Sequence, residues 1–445
     1  SISLPGGVSL SGNKFGGSSN GATSNSGIQF VNMRDLVMAD AAAPGVNIVL
    51  EDNSGLNDVY GDEVSTRGVL YLNNVRNAQM TSIDLSKMTA GQGTSYALKV
   101  NNGVNVSVLN GKGSNRYHGY YFEGGRDLTV TGNDLTGSGN QRDYPALRFS
   151  NVQPGSVNTA NGIAASGNLF GGANVRTGLR IDNAKNILIR NTSAGGAHIV
   201  IEDNSGLNNI TQGDGNSDHP AIYLSTVSDI TVDNVDASRP SGQDAGGIWV
   251  TNSAANSNVT IKNCNFNRHR RAIYCSGGKD YTIQNNTLLN SGGANDQPAI
   301  YLQNIQQGSL TGGILMSGNT FGGTSSFGGI RFENMRDLTI GDLNTGGNVK
   351  IEDNSGLNNM GGNSGGSSTN YVLHLNNVNN ATVDNVDLSR PVGATPAQDF
   401  TGIRIDNGAA YGPITIKDCT ISRHRGGISA QGGKDYTVTG NDLRG

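Results

Sequence analysis

GIRFENMRDLTIGDL, residues 329–343, alternates apolar and polar side chains twice, with a polar corner between the two stretches. Ile330 and Phe332 fall on one face, Leu338 and Ile340 repeat the pattern after the corner, and a period of two is the mark of a short strand. Asn334 and Asp337 sit where the chain must turn, and Asn and Asp tolerate the left-handed backbone that tight corners use. The stretch reads as strand, corner, strand.

The same shape recurs along the whole chain. Apolar clusters follow at GIQF (Gly27), IVLE (Ile48), VLYL (Val69), ALKV (Ala97), GYYF (Gly119) and ALRF (Ala146). They continue at GLRI (Gly178), IVIE (Ile199), AIYL (Ala221), GIWV (Gly247), AIYC (Ala272) and AIYL (Ala299), then at GIRF, VKIE, VLHL, GIRI and GISA. Seventeen clusters result, spaced 20 to 32 residues apart, with Gly, Asn, Asp and Ser filling the gaps. One coil of that length cannot bury its own apolar face. Stacking coils at about 4.8 Å buries a continuous interior and pairs each backbone with its neighbours. The expected fold is all-β, a parallel β-solenoid of about 17–18 coils.

A longer repeat overlies the coils. EDNSGLN occupies 51–57, 202–208 and 352–358, at intervals of 151 and 150 residues. SGNKFGG (Ser11), SGNLFGG (Ser166) and SGNTFGG (Ser317) recur with it, as do GGRDLTV (Gly124), GGKDYTI (Gly277) and GGKDYTV (Gly432). The chain is therefore expected to be one continuous solenoid of three modules, roughly 1–155, 156–306 and 307–445. Six coils per module predict an advance of about 29 Å, and seventeen coils a rod roughly 80 Å long. The third module closes on GNDLRG, which matches GNDLTG (Gly132) of the first, so we expect a window on a longer array or copies stacked end to end.

Composition agrees with a thin core. Hydrophobic residues make up 35% and aromatics 6%, while Gly numbers 66 among 445 residues. Charged residues are only 15%, too few for a solvated disordered chain. The formal net charge of −4 lacks the basic excess that nucleic acid requires, and no apolar run approaches the ~18 residues of a membrane span. The chain opens SISLPGG without Met, read as a start after processing. Cys264, Cys275 and Cys419 form no C-x-x-C pair and are odd in number; we read them as buried thiols, with a Cys264–Cys275 bridge as the alternative.

NVTIKNCNF (Asn258–Phe266) and YTIQNNTLL (Tyr281–Leu289) resemble the coil motifs of right-handed parallel β-helix proteins of the pectate-lyase-like superfamily, and the resemblance covers essentially the whole chain. It implies a right-handed coil. It leaves function open, because that fold carries lyases, hydrolases, epimerases, tailspikes, adhesins and stalks. Hydrolases resembling polygalacturonase carry an Asp-Asp pair, G-H-G and R-x-K, and none of these occurs here. Lyases need a base and a group that neutralises a carboxylate. Arg239-Pro240 and Arg390-Pro391 are faint candidates that recur, with Lys87-Met88 in their place in the first module.

Two motifs compete for a role. EDNSGLN reads first as a turn, with Asx caps, Gly for positive φ and a Leu that tucks into the core. Its alternatives are a Ca²⁺ site on Glu51, Asp52, Glu202, Asp203, Glu352 and Asp353, or a surface contact with a partner. The basic runs NRYHG (Arg116, His118), NRHRR (Arg268, His269, Arg270) and SRHRGG (Arg423, His424, Arg425) read first as solvated outer turns. Their alternative is a repeated cationic patch for acidic polysaccharide. Trp249, Tyr120, Tyr121, Tyr274 and Tyr301 lie inside strand clusters and read as packing. No coil breaks the repeat as a catalytic coil would. The expected function is a non-enzymatic extracellular structural or adhesive rod, with no cofactor beyond Ca²⁺. The alternatives are a polysaccharide-active enzyme, lyase more than hydrolase, and an acidic-glycan-binding rod.

Overall fold

The computed structural model describes residues 27–39, 48–49, 68–86, 93–139, 144–153, 163–172, 175–190, 199–202, 207, 219–240, 245–293, 297–323, 326–341, 347–349, 357, 360, 370–390 and 400–444. These form parallel β-sheets, with no α-helix among the described residues. The chain is a β-helix. It divides into two compact units, one of residues 1–212 with Ala221–Tyr223, the other of 213–220 and 224–445.

In the first unit, one sheet stacks Ile28–Val31, Gly68–Asn73, Gly93–Asn101, Arg116–Glu123, Leu147–Ser150 and Leu179–Asp182 in chain order. A second sheet takes the strand after each corner: Arg34–Ala39, Arg76–Thr81, Val104–Leu109, Arg126–Thr131, Ile163–Ser166 and Lys185–Arg190. Bridges Asp84–Lys112–Asp134–Leu169 make a third side. In the second unit the first sheet runs Gly246–Thr251, Arg271–Ser276, Ile300–Gln303, Gly328–Glu333, Asn370–Asn376, Phe400–Asn407 and Gly426–Gly432. There the second-sheet strands are Ser228–Asp233, Ser257–Lys262, Lys279–Gln284 and Ile314–Ser317, then Arg336–Ile340, Asn379–Asp384, Ile414–Lys417 and Tyr436–Thr439.

Pairing partners sort the apolar clusters into two kinds. Fourteen are first-sheet rungs. IVLE, IVIE and VKIE are not. Ile48–Val49 pairs with Met38–Ala39, Ile199–Glu202 lies between Ile163–Ser166 and Lys185–Arg190, and Val349 bridges Met316 and Ile340. Each is an extra rung of the second sheet. In the first unit the module therefore advances five first-sheet rungs from Gln29 to Arg180, about 24 Å rather than the 29 Å expected from six.

Most described corners between first and second sheet are turned by a residue of positive φ, such as Asn74 (53°), Asn102 (51°) and Asn334 (52°). Their amides pass hydrogen bonds from coil to coil: Asn102 donates to Asn74 at 3.2 Å and Asn74 to Asn32 at 3.1 Å. The SGN and TGN motifs turn the opposite corner. Gly132, Gly167, Gly318 and Gly440 take positive φ, and the Asn that follows points inward. Buried Asn133 donates to Asn168 at 2.9 Å, and Asn286 to Asn319 at 2.9 Å. Each also donates to a strand carbonyl, Asn286 to Ile261 and Asn319 to Ile283. An amide both donates and accepts, so it satisfies its own coil and the next within a dry core. Cys264 and Cys419 occupy the same rung and donate their thiols to Lys262 O at 3.0 Å and Lys417 O at 3.1 Å. All three cysteines are free and buried, and burial pushes the Cys264 thiol up to about 12.

Core volume is exchanged between rungs. Tyr120, fully buried, stands where the other modules place Ile273 and Ile428. Its ring fills the space of a residue on the third side: a Cβ on Gly113 would lie 2.5 Å from Tyr120 Cε1. The matching position holds Phe266 in the second module and Ile421 in the third. Gly113→Ala is expected to cost about 1–3 kcal/mol by overpacking, read as a lower denaturation midpoint. Tyr120→Ile in the same chain should remove most of that penalty. Additive losses from the two changes would contradict the exchange.

Candidate functional site

The basic runs are drawn into the structure rather than onto its surface. Asn115, Arg268 and Arg423 share a positive φ of 57°, 61° and 63°, so Arg116 is equivalent to His269 and His424, one place off the letter-by-letter match. These three side chains meet the same turn one coil below. Arg116 Nε donates to Leu85 O at 2.9 Å and its Nη2 to Ser86 O at 3.0 Å. His269 Nε2 meets Ala237 O at 2.6 Å and Nδ1 meets Ala245 O at 3.3 Å; His424 Nε2 meets Leu388 O at 2.6 Å. Arg116 and His269 are each 1% exposed. They satisfy buried carbonyls, which corrects their reading as an outer cationic patch. Arg268 Nη1 donates to Arg239 O at 3.1 Å, and Arg423 Nε donates to Arg390 O. Arg270 is half-buried, its Cγ packed where a Cβ on Gly293 would lie, and Arg425 is exposed. The turn arginines Arg239 and Arg390 are themselves buried.

Of the Ca²⁺ candidates, Glu51, Asp52, Asp203, Glu352 and Asp353 lie outside the described residues. So does the side chain of Glu202, whose backbone ends the strand Ile199–Glu202. Leu207 and Leu357 of the motif are buried, as its turn reading requires. Among the described residues no group of three or more His, Cys, Asp and Glu comes together.

A different surface emerges from the register. On the first sheet, the residues between the two inward columns stack into one outward column. In the first unit it reads Gln29, Tyr71, Lys99, Tyr121, Arg148 and Arg180. In the second it reads Trp249, Tyr274, Tyr301, Arg331, His374 and Arg404. Cations lie on aromatic faces throughout. Arg148 stands 4.8 Å from the Tyr121 ring, Arg180 4.8 Å from Tyr223, and Arg331 4.9 Å from Tyr301. Arg271, three residues before Tyr274 on the same strand, lies within 5.9 Å of Trp249, Tyr274 and Tyr301 alike.

Carboxylates two residues on hold the cations. Arg180 Nε bonds Asp182 at 2.9 Å, Arg404 Nε bonds Asp406 at 2.7 Å, and Arg331 pairs with Glu333. Arg148 reaches across to Asp182 at 2.9 Å, and Lys99 lies 3.8 Å from Glu123. Three cations thus face two carboxylates in the first unit (Lys99, Arg148, Arg180; Glu123, Asp182). The second repeats the ratio with Arg271, Arg331 and Arg404 against Glu333 and Asp406. The side chains of Lys99, Arg148, Arg180, Arg331 and Arg404 keep between 12% and 27% exposure.

The first unit adds an aromatic nest beside this column. His118 lies 4.0 Å from Tyr96, 4.1 Å from Tyr144 and 5.3 Å from Tyr117, centroid to centroid. It is 6% exposed, and its Nδ1 has no hydrogen-bond partner. Burial, then the charges of Arg148 and Lys99, drives its pKa down to about 3. Burial raises Tyr96 to about 12 and lowers Lys99. No other module carries this nest: Gly246 and Thr401 stand where Tyr96 does, and Arg271 and Gly426 where His118 does. The sequence signal for the column was present. In A-I-Y-L the Ile faces in, so the Tyr one residue on faces out.

No family model and no curated protein matches this chain. Among solved structures it is similar to the A-module of the mannuronan C-5 epimerase AlgE6 from Azotobacter vinelandii. That match has 12% identity and a TM-score of 0.23, covering 94% of this chain and 89% of that one.

Burial holds His269 at about 4 and His118 at about 3, both below the ordinary histidine value of 6.5. The unfolded chain therefore binds their protons first as pH falls. Their contribution to stability is intact above about pH 6.5 and is lost as pH falls to about 4 for His269 and about 3 for His118. His269→Gln should flatten the fall in melting temperature over that window relative to the parent chain. An unchanged slope would show that His269 does not titrate on unfolding.

Proposed function

We propose that this chain is a non-enzymatic, extracellular adhesive β-helix that binds acidic polysaccharide along the outward face of its first sheet. One observation carries the reading. The inward columns stay apolar from module to module, as at Leu98, Ile248 and Ile403, whereas the outward column changes chemistry at the same rung, from Lys99 to Trp249 to Arg404. A stalk needing only length has no use for such variation on one face. A face that reads a polymer does, and solenoids place their binding surfaces along a continuous side. The pairs R-x-D and R-x-E set the orientation of each guanidinium on the face that a polymer carboxylate would meet. The half-buried rings of Tyr71 and Tyr274 supply apolar contact for sugar rings. Three modules of roughly 1–155, 156–306 and 307–445 in one solenoid, with copies joined end to end, complete the proposal.

Polygalacturonate, alginate and heparin in affinity electrophoresis should retard the protein, and retardation should weaken as salt rises. Arg148→Ala and Arg404→Ala should each weaken it several-fold. Retardation by none of the three polymers would overturn the reading.

The aromatic nest favours a second reading, a polysaccharide lyase. His118 is neutral with a free Nδ1, Tyr96 and Tyr144 flank it, and Lys99 and Arg148 stand beside it as charges that can neutralise a uronate. Absorbance of the unsaturated product during incubation with the same polymers tests it directly. A signal abolished by His118→Phe would replace the adhesive reading with the enzymatic one.

A further inference from the structure

We infer that the second unit holds a separate binding site for a short neutral saccharide, on the ridge where first-sheet strands cross to the second sheet. Most of these crossings are two-residue corners, such as 334–335 and 377–378. Among the longer ones are residues 304–313, with a 3₁₀ turn at Thr311–Gly313, and residues 408–413. They stand on either side of the two short corners, and the space between is a cleft of about 580 Å³. Ligand sites commonly fall in that size range, roughly 300–1,000 Å³.

Its lining is what a sugar needs. Buried Ile305 and Met335 make the floor, and Tyr411 forms one wall. Gln306, Asn334 and Asn379 contribute side-chain amides, and Arg336 one guanidinium. Planar amides pair with neighbouring hydroxyls, and an aromatic ring covers the apolar C–H face of a pyranose. The charge balance selects a neutral ligand. Arg336 lies 3.8 Å from Asp337, while Asp337 also accepts from Asn380 at 2.6 Å and from Gln307. One cation and one carboxylate offset each other, so no net charge remains to select an acid.

The groups are already in position. Tyr411 N donates to Gly408 O at 2.9 Å, and Tyr411 O accepts from Lys434 N at 3.0 Å. Asn379 Oδ1 accepts from Gly412 N at 3.1 Å, which turns its Nδ2 outward as the donor for a ligand. The connection equivalent to 408–413 in the second module is arranged differently. Asn256 of the second module matches Tyr411, but it folds back, accepting from Ser253 N at 3.1 Å and donating to Ser228 Oγ at 3.1 Å. That connection is closed where this one is open.

Calorimetric titration with maltotriose, cellotriose, mannotriose and trigalacturonate tests the site. At least one neutral trisaccharide should bind, with an affinity at least tenfold weaker in Tyr411→Ala. Asn379→Asp keeps an oxygen to cap Gly412 and replaces the amide donor with a charged carboxylate oxygen, so it should lose binding while melting like the parent. Arg148→Ala should bind the neutral trisaccharide unchanged, which separates this site from the first-sheet face. Binding by none of the neutral sugars, by trigalacturonate alone, or equally by both cleft variants and the parent would overturn the inference.

Discussion

Parallel backbone pairing between successive coils is the constraint from which the rest of this structure follows. Each rung takes its hydrogen bonds from the rung beside it, so each position stacks on its own equivalent. Whatever occupies a column must therefore be compatible with its neighbour about 4.8 Å away. Asn meets that demand at both corners because its amide donates to one coil while accepting from another. Inside the core the same chemistry runs from Asn319 through Asn286 to the Cys264 amide. A lone buried polar group would cost stability; a ladder of them leaves none unpaired.

Within that frame, substitutions between modules are compensated locally. Tyr120 with Gly113 is exchanged for Ile273 with Phe266, which keeps the core filled while moving a ring from one wall to another. Arg116 is exchanged for His269 and His424 because all three can meet a buried carbonyl on the turn below. Arg116 does so charged. His269 does so neutral, because burial removes its proton at ordinary pH. The recurring letters therefore record recurring contacts, and the differing letters inside the coil record alternative ways of making them.

This explains what the sequence alone could and could not disclose. Period-two alternation exposed fourteen first-sheet rungs directly, since alternation is a property of the strand itself. It could not separate IVLE, IVIE and VKIE from them, because an apolar strand reads alike in either sheet and only its pairing partner tells them apart. The basic runs were misplaced for a different reason. A charged letter is ordinarily a solvated one, and nothing local announces the carbonyls of Leu85 or Ala237 waiting one coil below. The outward column follows from alternation, since Tyr121, Tyr274 and Tyr301 stand next to the inward Tyr120, Ile273 and Ile300, and the packing expected of Tyr121 and Tyr301 holds because both are buried. The ridge cleft was not legible at all, since it depends on which two long crossings land on either side of the same pair of corners.

The column also shows why repetition and specificity coexist in one chain. Inward positions are bound by packing on both sides and by the rungs that flank them, so their chemistry is fixed. Outward positions on the first sheet feel only their stacked neighbours. There the chain uses one local device repeatedly, an arginine held by a carboxylate two residues on, at Arg180–Asp182, Arg331–Glu333 and Arg404–Asp406. Because that pair closes within a single strand, it can be placed on any rung without disturbing the coil beneath. A rung next to such a pair is then free to carry an aromatic ring, as Tyr223 does against Arg180 and Tyr301 against Arg331. The outward face can thus vary rung by rung, whereas a change inside the coil has to be compensated by a neighbour, as Gly113 compensates Tyr120. The departures from the repeat therefore gather on the outward face of the first sheet, at Lys99, Trp249 and Arg404 for example.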